Sequence, residues 1–250
     1  MVPRDPDQFY TGIVAELYRT LRAASPDPEP YVRFIERSGQ PALELGCGDG
    51  DPILDLVGRG LDVEGLDSSD DMLDRCRARA AALDLPITLH RQSMQEMDLP
   101  RRYRSIYLAG ATFNLLPDDD IARRVLVRIR DHLTADGRAL IPLMVPSPTT
   151  RSETAREQVD ANGSVVRLVS QPPTRDEATR TQRTVLRYER ISTDGTTERS
   201  EREWLLHWYP KPIFNALVDG CGLATVAVVD VADAPGGDET FAFIVGRAAG

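Results

Sequence analysis

The sequence predicts an α/β fold: a doubly wound parallel sheet flanked by helices, with a small antiparallel β insertion before its final helix and strand pair. Three observations predict it. Between Ala42 and Pro146 short apolar runs alternate with stretches of helical period. A cluster of three glycines stands where the first of those runs meets the first helix. After Pro146 the helical period vanishes until Pro210. At 250 residues the chain can bury roughly 70–75 % of its unfolded surface, enough for one core and a modest appended piece.

Taken in order, "QFYTGIVAELYRTLRAA" carries Tyr10, Ile13, Val14, Leu17 and Leu21 at helical spacing and stops at "SPDPEP". A second short helix follows at "YVRFIERS". Pro41 opens the strand "ALEL", and "GCGDGDP" leads into the helix "ILDLVGRG", with Pro52 suited to a first helical turn and Gly60 to a helix exit. "DVEGLD" is a second strand, and Ser68 or Ser69 caps the acidic start of the next helix. "PITLHRQ" and "YRSIYLAG" are the third and fourth strands. The helix "PDDDIARRVLVRIRDHL" repeats Ile121, Val125, Ile129 and Leu133, then yields at "ADG" to the strand "RALIPLMVP". Three strand-like runs, "GSVVRLVS", "QRTVLRYERIS" and "SEREWLLHWY", form the insertion. "PKPIFNALVDGCG" returns as a helix, "LATVAVVDV" as a strand, "APGGDE" as a turn and "TFAFIVGR" as the last strand. The organisation read from this is an N-terminal helical lid over 1–38, a core over 39–150 and 210–250, and an inserted antiparallel cap over 151–209.

Charge and cysteine usage narrow the function. A formal charge of −9 and a pI near 4.9 oppose an electrostatic grip on a phosphate backbone, so nucleic acid is not expected as a partner. Cys47, Cys76 and Cys221 form no CxxC pair, which suggests neither disulfides nor zinc. The polar start "MVPRDPDQFY" lacks the pattern of a secretory signal, and no apolar run approaches the ~20 residues of a membrane span. A cytoplasmic protein with no membrane partner is expected. The acidic runs at 68–71 and 118–120 read as helix starts rather than metal ligands. His90 and His132 read as structural or surface residues.

A glycine cluster between strand and helix permits positive φ and lets a ligand approach bare backbone at a helix N-terminus. A dinucleotide fingerprint would place its third glycine where Asp51 stands, and a pyrophosphate would meet Asp49 and Asp51. A nucleoside-like ligand without phosphate fits better. Asp67, ending the second strand, can accept hydrogen bonds from two ribose hydroxyls.

The segments "LELGCGDGD", "VEGLDSSDDML", "RYRSIYLAGATFNLLPDDD" and "HLTADGRALIPLM", in this order and spacing, resemble the class I S-adenosylmethionine-dependent methyltransferases over roughly residues 40–145. "AGATFNLLP" and the inserted sheet look like the small-molecule members, in particular the glycine N-methyltransferase-like and amino-sugar N-methyltransferase groups. The resemblance implies a Rossmann-like, seven-stranded sheet with its last strand antiparallel. It implies S-adenosylmethionine as cofactor, S-adenosylhomocysteine as product, no metal, and a small-molecule acceptor of the kind met in secondary metabolism. By position, Glu44, Gly46, Cys47, Gly48 and Gly50 would surround the methionine part, and Asp67 would bind the ribose. Ser68, Met72, Ser93 and Met94 would lie near the adenine or ribose, and Ala109 with Gly110 would offer backbone to the methionine amine. Two departures stand out: Gln92-Ser93 where many relatives have Gly-Asp, and Leu115 where many have histidine.

Methyl transfer is an in-line displacement in which the protein mostly positions a nucleophile and excludes water, so no triad is demanded. Tyr10 is expected near the cofactor, with Tyr18 a further candidate to cover the crevice. Thr112, Phe113, His207 and Tyr209 are expected to bind substrate, and His207 and Tyr10 are the candidate general bases. In "WLLHWY" the alternation of Trp204, Leu206 and Trp208 with Leu205, His207 and Tyr209 puts one set toward a pocket, read as the His207 set. The expected function is transfer of a methyl group to a nitrogen or oxygen of a small molecule by a monomer or homodimer. The alternatives are a cofactor-binding partner subunit without turnover, an enzyme of this fold with non-methylating chemistry, and a nicotinamide-dependent dehydrogenase.

Overall fold

The computed structural model describes residues 9–22, 25–148, 152–230 and 237–248. The chain separates into two compact units, one formed by Met1–Ser25 with Pro148–His207, the other by Pro26–Ser147 with Trp208–Gly250.

The larger unit is built on a seven-stranded sheet. Its strands are β1 (Ala42–Leu45), β2 (Val63–Asp67), β3 (Thr88–Arg91), β4 (Tyr103–Leu108), β5 (Leu133–Val145), β11 (Leu223–Asp230) and β12 (Glu239–Arg247). The spatial order is β11-β12-β5-β4-β1-β2-β3. β1 to β5 pair in parallel, whereas β12 runs antiparallel to both β5 and β11. All four residues of β1 are buried, as a central parallel strand covered on both faces requires. One face carries α2 (Glu29–Ser38), α3 (Ile53–Gly58) and α4 (Asp70–Ala82). Their Tyr31, Ile35, Ile53, Leu56, Leu73 and Cys76 pack with Ala42 and Tyr107. The other face carries α5 (Asp119–His132) and α6 (Lys211–Gly220), whose Val125, Ile129, Phe214 and Leu217 pack with Leu43, Leu45, Ile106 and Leu108.

Local chemistry sets the helix ends. Ser69 accepts from the Met72 N–H at 3.3 Å and Asp118 from the Ile121 N–H at 2.8 Å, so each satisfies a donor that the first helical turn leaves open. Buried His132 ends α5. Its Nε2 accepts from the Leu99 N–H at 2.9 Å and its Nδ1 donates to the Arg128 carbonyl at 2.8 Å, which makes it a structural residue. His90 is half-buried and bonds Glu64 at 2.7 Å. Glu64 also accepts from Arg101 and Tyr103. Burial pushes its carboxyl up, but these three partners outweigh that and hold it below the ordinary range.

The smaller unit holds α1 (Ile13–Leu21) and strands β6 (Thr154–Val159), β7 (Val165–Ser170), β8 (Thr174–Asp176), β9 (Thr181–Ile191) and β10 (Thr197–His207). The order is β10-β9-β7-β6, with β8 also on β9. Five strands thus stand where three were expected. β6 is exposed throughout and carries no apolar alternation, and β8 has three residues. One sheet face packs Val166, Leu186 and Tyr188 against Ile13, Val14, Leu17 and Leu21 of α1. By the two-residue period the opposite face carries a row of alternating charge, Glu157–Arg167–Glu189–Arg199, one residue from each of four strands in register.

Two boundaries differ from the sequence reading. Gly12, at φ +56, breaks the first helix so that it begins at Ile13 and leaves Tyr10 outside it. The second helix belongs to the larger unit, because its apolar face has β4 to cover, rather than to a lid with α1. The first half of the turn expected at "APGGDE", residues 234–236, lies outside the described residues.

Candidate functional site

The site is assembled where β1 and β2 end. Gly46, Gly48 and Gly50 have φ of +74, +53 and +100, a backbone that only glycine adopts without strain. The Gly46 and Cys47 N–H groups both donate to the Leu66 carbonyl, tying the turn to β2. The Gly48 N–H donates to Asp67 Oδ2 at 2.8 Å and the Ser69 N–H to Oδ1 at 2.9 Å. A carboxylate oxygen can accept more than one hydrogen bond, so holding the turn does not by itself bar Asp67 from receiving hydroxyls.

The missing side chains have a different cause from the one expected. A Cβ on Gly50 would meet Leu54 Cδ1 at 2.8 Å and Cys76 Sγ at 2.9 Å. One on Gly46 would meet Thr112 Cγ2 at 2.8 Å and Met94 Cε at 3.1 Å. The protein's own side chains fill those spaces, and a ligand would meet main-chain groups rather than vacated Cβ positions. At Gly48 a Cβ would come within 3.3 Å of Met72 Cε, so Gly48→Val would strain the backbone as well as the site.

Asp49 and Asp51, expected to repel a pyrophosphate, are held by one cation. Arg79 of α4 pairs with Asp51, approaches Asp49 at 3.4 Å and donates to the Asp49 carbonyl at 2.6 Å. No motif pointed to Arg79, since only the fold brings α4 over the turn.

Glu44 is wholly buried in β1, in register with Gly65 of β2 and Tyr107 of β4. The Tyr107 hydroxyl donates to Oε2 at 2.7 Å, and no donor among the described residues reaches Oε1. Burial is the largest influence on this carboxyl. The Tyr107 bond works against it and the Asp67 charge adds to it, and together they raise its pKa to about 8. Tyr31 of α2 stacks on Tyr107, ring centres 5.2 Å apart, and its hydroxyl accepts from the Gly110 N–H at 2.9 Å. Burial raises the Tyr31 phenol, opposed by that backbone bond. Sequence reasoning missed both tyrosines. In sequence each is one more apolar residue, and only the placement of β4 beside β1 reveals the pair.

Cys47 is buried with its Sγ 2.7 Å from where a Gly65 Cβ would lie. Burial, then the charges of Asp67, Glu44 and Cys76, hold its thiol well above the ordinary range, so it is a compact packing residue and a poor nucleophile. Met72 is buried and Ser68 is half-buried beside the Ser69 cap. The Ser93 hydroxyl donates to Glu96 at 3.2 Å. The Ala109 carbonyl accepts from the Thr112 hydroxyl at 2.7 Å, so Thr112 braces the loop after β4. Asn114 braces it further, its side-chain amide pairing with both backbone groups of Met144 at 2.9 and 3.0 Å.

Among the expected substrate residues, Phe113 and Tyr209 lie in the core of the larger unit. Both are fully buried, 5.5 Å apart edge to face, in a core cluster with Phe214. His207 is buried at the end of β10, opposite Thr181. Trp204, on the other side of the alternation, lines a cavity of about 530 Å³ between α1 and the sheet of the smaller unit; His207 does not. Tyr10 does line it, in edge contact with Phe9 and Tyr18. Among the described residues no group of His, Cys, Asp or Glu could hold a metal ion, and no helix is long and apolar enough to cross a membrane.

Residues 42–137, from the first strand to the start of the fifth, match the family described as "Methyltransferase domain". That stretch is similar to methyltransferase domains. A curated relative, the dTDP-3-amino-3,6-dideoxy-alpha-D-glucopyranose N,N-dimethyltransferase of Streptomyces fradiae, is 28% identical over 184 residues, 70% of this chain and 71% of that protein. A solved sugar N-methyltransferase from Streptoalloteichus has a TM-score of 0.77 at 19% identity, covering 96% of this chain and 94% of its own. An amino pentose methyltransferase from Micromonospora echinaspora, solved with S-adenosylmethionine bound, has a TM-score of 0.69 at 22% identity, covering 96% and 99%. At these identities the two structures speak for the fold. The seven-stranded order with β12 antiparallel is that fold.

Proposed function

We propose that this protein transfers a methyl group from S-adenosylmethionine to an amino nitrogen of a small molecule, an amino sugar carried on a nucleoside diphosphate. The observation that carries the cofactor half is the buried Glu44 with an acceptor oxygen that no donor among the described residues reaches, next to the glycine turn and Asp67. When bound, the cofactor supplies a methyl group on a positively charged sulfur. The residues present fit it. Asp67 accepts the ribose hydroxyls, and Glu44 with the Ala109 carbonyl faces the ammonium end. Met72 and Met94 give apolar surface, and Ser68 and Ser93 give hydroxyls for the adenosine. The Gly110 N–H is already given to Tyr31, so its backbone contribution is its carbonyl.

For the acceptor half, support comes from the activity of the Streptomyces fradiae relative and from the cavity of the smaller unit. That cavity is walled by Tyr10, Tyr18, Tyr188 and Trp204, with Arg22 and Arg156 also in its lining. Aromatic rings suit a nucleobase or sugar face, and guanidinium groups suit phosphate oxygens. An amine nucleophile needs orientation and a route for its proton. Tyr10, which lines the cavity, is the group we assign to that proton, and Tyr10→Phe should lower kcat about 10²-fold or less with the cavity intact. The test is incubation with S-adenosylmethionine and nucleotide-linked amino sugars, followed by mass spectrometry. N-methylated sugar with an equivalent of S-adenosylhomocysteine is expected. Methylation of hydroxyl compounds only would move the acceptor to oxygen.

A further inference from the structure

Glu44 is wholly buried and takes one hydrogen bond from Tyr107, and among the described residues its Oε1 has no donor. The groups that face it are acidic or neutral: Asp67 at the end of β2, Cys47 in the turn, Cys76 of α4, Tyr107 of β4 and Tyr31 of α2. The nearby cation, Arg79, is engaged with Asp49 and Asp51. A carboxylate so placed has no counter-charge of its own, and a buried charge without one gives up its ionisation instead.

Resting on the cofactor reading above, we propose that Glu44 is uncharged in the ligand-free protein and releases its proton when the ammonium group of the cofactor arrives, so that cofactor binding is coupled to proton release. Tyr107 and Tyr31 are positioning residues for this step. The Tyr107 hydroxyl fixes which oxygen remains open, and Tyr31 stacks that ring in place while anchoring the Gly110 backbone. The proton leaves the Glu44 carboxyl for solvent, and the new carboxylate is neutralised by the incoming ammonium. A pKa near 8 in the free protein agrees with this and sets the size of the effect.

The experiment is calorimetric titration with S-adenosylhomocysteine, which carries the same ammonium end, at pH 7 in two buffers of different ionisation enthalpy. The buffer dependence should report release of about 0.9 proton per site, and affinity should rise about tenfold between pH 6 and pH 7. Glu44→Gln should abolish both effects. Binding with heat that does not depend on buffer would overturn the proposal while leaving the cofactor reading intact, and absence of binding would overturn both. Proton release that persists in Glu44→Gln would overturn the assignment to Glu44. Should that variant not bind, infrared difference spectra of the wild type decide: a protonated carboxyl band converting to carboxylate supports the proposal, and its absence overturns it.

Discussion

Gly50 and Gly110 are both bare and both at positive φ, yet substitution should affect them differently. A Cβ at Gly50 runs into Leu54 and Cys76, whereas one at Gly110, φ +64, meets nothing within 4 Å. Gly110→Ala should therefore show only the backbone penalty of about 1–2 kcal/mol. Gly50→Ala adds overpacking, for a loss of about 2–5 kcal/mol. Urea denaturation of both variants checks this, and equal losses would contradict the packing argument. Tyr107→Phe keeps the ring against Tyr31 but removes a hydrogen bond to a group that is charged in the complex. That should weaken cofactor affinity about 10–100-fold by calorimetry, with little change in fold. Asp67 and the glycines could be read from sequence because strand, turn and helix leave a local signature. Tyr31, Tyr107 and Arg79 could not, since each acts through a partner 28 or more positions away.

At the scale of elements, the junction between the glycine turn and α4 depends on Arg79, which is one-fifth exposed while its two aspartates are nearly buried. Arg79→Ala removes the cation that both carboxylates share and should cost about 2–3 kcal/mol, seen as a lower denaturation midpoint. The charged row across the smaller sheet is a contrasting case. Arg167 touches both Glu157 and Glu189, but it is two-fifths exposed, so Arg167→Ala should leave the denaturation midpoint nearly unchanged, and unchanged in high salt. Legibility followed the same line. The seven strands and flanking helices of the larger unit announced themselves by apolar period. β6 and β8 did not, because exposed strands have no apolar face to alternate. In the "WLLHWY" run Trp204 lines the cavity of the smaller unit, while Tyr209, like Phe113, is buried in the core cluster. Period two says which residues share a face, not which face is wet.

At the scale of the whole molecule, two carboxyls, buried Glu44 and partly buried Glu64, give the stability a pH profile. Glu44 is raised from the ordinary 4.5 to about 8, so below the ordinary range it is protonated in both states and its stabilising contribution is complete. As pH rises toward 8 the unfolded chain loses that proton while the folded protein retains it, and stability falls. Glu64 is lowered, so its contribution is present above the ordinary carboxyl range and is lost as pH falls through its folded value. Stability of the ligand-free protein should therefore decline from about pH 5 to pH 8, and Glu44→Gln should flatten that decline in thermal denaturation. The central claim is that the glycine turn, Asp67 and Glu44 form the cofactor site of a methyltransferase. Equilibrium binding of S-adenosylhomocysteine to the purified chain, with NAD as control, tests it most directly. One site of micromolar affinity, and none for NAD, is the predicted result. A protein that binds neither, or that prefers NAD, would contradict it.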